Sequence, residues 1–194
     1  MFVVVLAAGA STRFGSPKQF AVIDGVPMLE LVVRHAMAVA CREEINVVIS
    51  DGVPELDEIM SPLGVRTIVN SEASAGIGTS IRAGVMSLPS DAVAAMIVLA
   101  DQPWVTGADY RALVHCWKRQ PGCRVASAYG GSCGVPAIFP RVDFGALTTL
   151  RNDSGARQIL LSDPQKLRQV PVPNAAHDVD IPGDIRTASA KRSL

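Results

Sequence analysis

The chain has 194 residues, with 18 basic side chains against 18 acidic ones and a net charge of zero. With 48% hydrophobic and 19% charged residues and a mean hydropathy of +0.28, it is too apolar to stay disordered. The charge balance disfavours a protein that coats nucleic acid, and the apolar runs at 1–10 and 92–100 are about half the length a bilayer demands.

At this length roughly 70% of the unfolded surface can be buried, so the fold needs no disulfide or structural metal. Cys41, Cys116, Cys123 and Cys133 form no C-x-x-C pair. Cys41 lies inside an apolar, helix-like run and is expected to be a small buried hydrophobe. The first ten residues resemble a signal h-region but carry no basic stretch and run straight into a glycine-containing motif. The expectation is a cytoplasmic protein with no membrane or nucleic-acid partner.

In chain order, Phe2 to Leu6, Ile45 to Ser50, Val65 to Val69 and Ala94 to Leu99 read as strands, mostly continuous in apolar residues as buried parallel strands are. Helical patterns lie between and after them at Met28 to Ala40, Pro54 to Met60, Thr79 to Leu88 and Ala108 to Trp117. In the first helix Leu29, Val32, Val33, Ala36 and Met37 form the buried stripe, with Glu30 and Arg34 paired at i,i+4. Thr106 reads as an N-cap, with Asp109 three residues on. Beyond Gln120, Arg124 to Ala128 and Val135 to Phe139 can pair antiparallel through Gly130-Gly131-Ser132. Asp153 to Leu161 reads as a short helix and Leu167 to Val170 as a late strand. This alternation predicts one α/β domain over residues 1–186, built on a mostly parallel sheet with a small antiparallel part. Residues 187–194 are expected to form a flexible tail.

The first strand runs directly into Leu6-Ala7-Ala8-Gly9-Ala10-Ser11-Thr12-Arg13-Phe14-Gly15-Ser16-Pro17-Lys18. Open α/β sheets bind ligands at the carboxyl ends of their strands. Ala7, Ala8 and Gly9 keep side chains out of the way of a flat base or a phosphate. Arg13 and Lys18 are the only charges in the first 23 residues and suit an anion with several phosphates; a surface loop with two solvated cations is the plainer reading. The spacing is neither a Walker A loop nor a dinucleotide fingerprint. Asp101, at the end of an apolar strand, suits a divalent metal and equally a turn or N-cap before Pro103. Asp178 and Asp180 lie two apart on an extended segment and point the same way; a solvated acidic turn is the alternative. Asp184 reads as a helix N-cap. His35, His115 and His177 are scattered, without an evident chemical role.

L-A-A-G-x-S-x-R-x-G-x-P-K, from Leu6 to Lys18, resembles the signature of the MobA-like nucleotidyltransferases, most closely the CTP-using molybdenum cofactor cytidylyltransferases. Further stretches agree in order: Gly25 to Leu29, Asn70 through Gly78 to Ile81, Leu99 to Pro103, Gly134 to Phe139, Asp153 to Arg157 and Asp178 to Asp184. The resemblance implies a Rossmann-like three-layer sandwich of the nucleotide-diphospho-sugar transferase type. It implies transfer of CMP from CTP to the terminal phosphate of molybdopterin, with release of pyrophosphate and a molybdoenzyme as possible recipient of the product. Arg13 and Lys18 would hold the triphosphate, while Mg²⁺ on Asp101 and Asp180, with Asp178 the less favoured ligand, would bridge the α-phosphate and the attacking oxygen. The base would lie against Leu6, Ala7, Ala8 and Gly9, its edge read by Ser80 and the backbone near Gly76 and Gly78. Ala8 stands where the GTP users carry a second glycine, which favours cytosine. Gly134, Pro136 and Arg157 would face the acceptor; a helix C-cap is the plainer reading of Arg157. Members usually carry threonine where this chain has Ile181. Two rivals share these features: a sister enzyme using another nucleotide or phosphorylated acceptor, and a non-catalytic carrier of finished cofactor.

Overall fold

Phe-Val-Val-Val-Leu offers no polar face at either a strand or a helix period, so it must be covered on both sides. In the computed structural model, which describes residues 1–9, 14, 17–53 and 55–185 (main chain only at Asp57), it becomes β1, Phe2–Leu6. A two-stranded hairpin, β2 (Val22–Ile23) and β3 (Val26–Pro27), leads into α1 (Met28–Ala36). Then come β4 (Ile45–Ser50), α2 (Glu55–Met60), β5 (Arg66–Asn70), α3 (Ile77–Met86), β6 (Ala94–Leu99) and α4 (Gly107–Arg119). β7 (Arg124–Tyr129), β8 (Ser132–Pro140), α5 (Phe144–Thr148), α6 (Arg157–Leu161) and β9 (Leu167–Pro171) follow.

Seven strands form one sheet in the order β5-β4-β1-β6-β8-β7-β9. β8 alone runs against the others: it pairs antiparallel with β6 and β7, while the remaining pairs are parallel. Strand alternation divides the core in two. Val3, Val5 and Ala7 pack with Leu29 and Val33 of α1, Leu56 of α2 and Tyr110 and Leu113 of α4. Val4, Leu6 and Ala8 face Ile81 and Val85 of α3, Leu147 of α5 and Leu160 of α6. The result is a Rossmann-like α/β domain of three layers. No helix among the described residues is long and apolar enough to cross a membrane.

β1 sits at the topological switch point, with β4 on one side and β6 on the other, where Leu6 pairs with Val48 and Leu99 respectively. The chain first extends the sheet towards β5 and then returns to β6, so the carboxyl ends of β1 and β6 splay their loops apart and open a crevice between them.

The predicted N-cap at Thr106 forms a full capping box: its hydroxyl accepts from the Asp109 amide, and Asp109 accepts from the Thr106 amide at 2.8 Å. Three expectations fail. The first helix ends at Ala36 rather than Ala40, and Cys41 is exposed rather than buried. The Cys41 amide is taken by Glu44 Oε2 at 3.1 Å, which starts a separate helical turn at Arg42–Glu44 and turns the thiol outward. Arg157 opens α6 rather than capping the carboxyl end of a helix, because the stretch before it is a turn. The predicted tail at 187–194 lies outside the described residues.

Candidate functional site

A cleft of about 340 Å³ lies in the crevice, walled by Leu6 to Gly9 on one side, Leu99 to Asp101 on the other, and Ser80, Ile77 and Asp153 across the top. Its volume is at the lower end of the ligand-pocket range of roughly 300–1,000 Å³. Lys18, Gly76 and Asp180 also line it, so nine of the residues expected at a nucleotide site meet in one place: Leu6, Ala7, Ala8, Gly9, Lys18, Gly76, Ser80, Asp101 and Asp180. Arg13 lies outside the described residues.

Two segments far apart in sequence converge on the Lys18 ammonium. It donates to Asp101 Oδ2 at 2.7 Å, to the Val179 carbonyl at 3.1 Å and to Asp180 Oδ1 at 3.3 Å. Burial pulls the Lys18 pKa down, but the charges and hydrogen bonds of Asp101 and then Asp180 outweigh it and raise the pKa above its ordinary value. The ammonium therefore stays charged through the neutral range. Lys18 in this state neutralises the two carboxylates expected to hold a metal.

Asp101 shows whether the pair suits a divalent cation. Its Oδ2 is bound to Lys18, whereas its Oδ1 is buried with no partner. An unpaired buried carboxylate oxygen is costly, and an oxygen-liganded cation is a partner that satisfies it. Among the described residues no three Asp, Glu, His or Cys side chains converge in a metal-holding group. Two carboxylates, completed by substrate phosphate and water, match the usual way Mg²⁺ is held. The donor set fits.

Asp178 and Asp180 flank Val179, whose side chain is buried with Ile23 and Met28 and whose amide donates to the Asp101 carbonyl at 2.8 Å. Both carboxylates consequently leave the same side of the segment but meet different partners. Asp178 accepts from Gln102 Nε2 at 3.0 Å, and Gln102 is itself tied to the Ala175 carbonyl at 3.0 Å. Burial, followed by the charge of Asp101, pushes the Asp178 carboxyl up, against the opposing pull of Gln102. Asp184 accepts from the amides of Asp180 and Ile181 at 2.8 and 2.9 Å. It thus caps the turn at 182–185 from inside the turn rather than from the N-cap position expected of it, and those bonds hold its carboxyl below the usual range.

Gln19 was not singled out from the sequence. Its buried amide donates to the Ala7 carbonyl at 2.6 Å and the Gly9 carbonyl at 3.1 Å, pinning the main chain that forms the floor of the cleft. The sequence shows only an amide next to Lys18; its burial and the carbonyls it binds become visible once the loop is folded.

A family model described as a MobA-like NTP transferase domain matches residues 3–169. The chain belongs to this family. It is 30% identical over 115 residues to the bifunctional protein GlmU of Clavibacter sepedonicus, a match covering 58% of this chain and 23% of that protein. The crystal structure of Rv0371c from Mycobacterium tuberculosis H37Rv superposes with a TM-score of 0.79 at 25% identity, covering 97% of each chain. A complex of Rv0371c with manganese gives 0.78 at 24%, covering 96% of each. Molybdopterin-guanine dinucleotide biosynthesis protein A from Archaeoglobus fulgidus shares the fold, with a TM-score of 0.67 at 18% identity and coverage of 100% of this chain and 99% of that one.

In this MobA-like transferase the glycines of the 76–78 segment also hold a neighbouring turn in place. Gly76 has φ of +115° and lies against the main chain of Asn152, where any side chain would collide. The Gly78 amide donates to the Asn152 carbonyl at 2.8 Å and the Gly76 amide to the Ala73 carbonyl at 3.1 Å. Both amides are spent within the fold, so neither can read a base edge. Gly78 is buried against the 151–154 turn and does not line the cleft. The two glycines seat that turn, which brings Asp153 to the rim.

The residues expected on the acceptor side lie outside this cleft. Gly134 and Pro136 are on β8; Gly134 leaves room for the Tyr129 ring, and the Pro136 carbonyl accepts from Ser127 Oγ at 2.7 Å. Burial raises the Tyr129 pKa, the charge of Asp178 adds to the rise and that of Arg157 opposes it. Tyr129, Arg157 and Asp178 are therefore electrostatic neighbours, and Asp178 in turn senses Asp101 and Asp180.

Proposed function

We propose that this nucleotidyltransferase moves CMP from CTP to the terminal phosphate of a molybdopterin-type acceptor. An acceptor phosphate oxygen attacks the α-phosphorus, the bond to the bridging oxygen breaks, and pyrophosphate leaves. A phosphate monoester is largely ionised at neutral pH and needs no general base, so the protein has to position the two phosphates and neutralise charge. One observation carries this reading: a lysine and two carboxylates converge in a small cleft walled by Leu6 to Gly9.

Leu6, Ala7 and Ala8 offer the base a flat surface, with Gln19 holding their main chain. The Ala8 methyl narrows that surface, in favour of a pyrimidine. Ser80 reads the base edge. Lys18, leaving its carboxylates, and Arg13 hold the triphosphate and the charge that develops on pyrophosphate. Asp101 and Asp180 would hold a divalent cation, Mg²⁺ by their chemistry; manganese in the Rv0371c complex is in keeping with such a site. When bound, that cation supplies positive charge to the α-phosphate. Arg157, with Tyr129 and Asp178 nearby, stands on the side left for the acceptor, and Gly134 and Pro136 shape the strand beneath.

Pyrophosphate release with CTP, GTP and ATP against purified molybdenum cofactor tests all of this. The expected result is release with CTP well above that with GTP or ATP. Release only with another phosphorylated acceptor would replace molybdopterin while keeping the same residues. Cofactor bound without release under any nucleotide would make the protein a carrier and overturn the proposal.

A further inference from the structure

Asn70 ends β5, and its side chain is buried between the strand and the first turn of α3. Its Oδ1 accepts from the Glu72 amide at 3.1 Å, which fixes the orientation of the side-chain amide, because a main-chain N–H can only donate. Both hydrogens of Nδ2 are then committed: one goes to Thr79 Oγ1 at 2.9 Å, the other to Ser80 Oγ at 3.0 Å. Thr79 is consistent with this polarity, since its own proton goes to the carbonyls of Gly76 and Glu72 at 2.8 and 2.9 Å. Ser80 differs. Its oxygen accepts from Asn70, but its proton meets no acceptor among the described residues, and the residue is 5% exposed and lines the cleft.

We propose that Asn70 is a positioning residue that sets the base preference of the cleft by forcing Ser80 to act as a hydrogen-bond donor. With one lone pair taken by Asn70, a ligand amine at Ser80 would leave the hydroxyl proton unmet in a nearly dry place, whereas a ring nitrogen or carbonyl oxygen would satisfy it. The class selected is a nucleobase presenting an acceptor there, as cytosine does with O2 and N3. This rests on the reading that the cleft takes a nucleotide. Asn70 never touches the ligand; it acts through Ser80.

The test is calorimetric binding of CTP, UTP, GTP and ATP to the full chain, with the ratio of the preferred nucleotide to the next as the readout. Asn70→Asp is nearly isosteric but only accepts hydrogen bonds when ionised, so it turns the Ser80 proton inward. The ratio should fall roughly tenfold, the size of one unmet buried hydrogen bond. In the Ser80→Ala background the same substitution should leave the ratio unchanged. Asn70→Ala gives a second route if the Asp variant does not fold, with the same dependence on Ser80. A purely structural role would weaken all four nucleotides alike and leave the ratio intact. An intact ratio or an equal fall without Ser80 overturns the proposal and spares the proposed function; a wild type that binds nucleotides without preference overturns the proposal and the choice of CTP, but spares nucleotidyl transfer. A wild type that binds no nucleotide ends both.

Discussion

Replacing Lys18 by methionine should change two measurements in opposite directions. Methionine keeps an unbranched stem of similar length, so the packing of Lys18 is largely retained while the ammonium is lost. A divalent cation entering the nucleotide-free cleft of the natural protein must displace that ammonium from Asp101 and Asp180. The side chains of Lys18, Asp101 and Asp180 are 14, 22 and 49% exposed, which puts the pair between a surface bridge and a buried one. Surface pairs contribute about 0–1 kcal/mol and breaking buried ones costs about 3–5, so an intermediate value of about 1–3 kcal/mol is appropriate here. At 1.4 kcal/mol per decade, Lys18→Met should tighten Mn²⁺ binding without nucleotide by roughly five- to a hundredfold. Free Mn²⁺ followed by electron paramagnetic resonance reads this directly, with Asp101→Asn as the control that abolishes binding. Nucleotide transfer by the same Lys18 variant should fall, because the charge that would meet the triphosphate is gone. Unchanged or weaker Mn²⁺ binding in the variant would refute the competition between lysine and metal.

Two further predictions concern stability. Tyr110 is fully buried with its hydroxyl unpartnered, and burial raises its pKa far above the ordinary value. Tyr110→Phe removes a desolvated group with no bond to lose and should raise stability by about 1 kcal/mol, or about 2–4 °C in the melting temperature; a drop would show that the hydroxyl is paired in solution. Arg124 Nε and Nη2 grip the two Asp143 oxygens at 2.8 and 2.6 Å, nearly out of water, and these bonds hold the Arg124 pKa above its ordinary value against its burial. Asp143→Asn takes away the guanidinium's counter-charge and should cost about 3 kcal/mol, seen as a fall of about 6–12 °C in thermal melting. A loss below about 1 kcal/mol would place this pair with ordinary surface bridges.

How far the sequence carries can be judged residue by residue. Asp101 was legible because Ala94 to Leu99 is too apolar to be anything but a covered strand, and ligands gather where such strands end. Thr106 was legible because capping is local chemistry over three residues. The partner of Lys18 was not. A sequence shows a cation suited to phosphates, but which carboxylates it meets when no phosphate is present depends on residues 83 and 162 positions away. Gln19 and Asn70 were missed as working groups for a related reason. An amide can donate or accept, and its role is decided by the main-chain group that reaches it first, here the carbonyls of Ala7 and Gly9 and the amide of Glu72. Where the amide of Gly78 goes was not legible either, because the Asn152 carbonyl that takes it lies far along the chain.

The choice between Asp178 and Asp180 has a physical basis in how their segment is anchored. Val179 is tied at three points: its side chain to Ile23 and Met28, its amide to the Asp101 carbonyl and its carbonyl to Lys18. That fixes the height of both carboxylates above the carboxyl end of β6 but leaves their surroundings unequal. Asp178 faces Gln102, which is held by the Ala175 carbonyl and has its Oε1 buried and unpartnered, so any movement of Asp178 would disturb a donor already committed twice. Asp180 Oδ1 accepts from the end of a flexible lysine stem. Exchanging an ammonium for another cation there draws on a swing of Lys18 rather than on a buried amide. A ligand that must be gained and released in every catalytic cycle is better served by Asp180 than by a carboxylate locked to a buried amide.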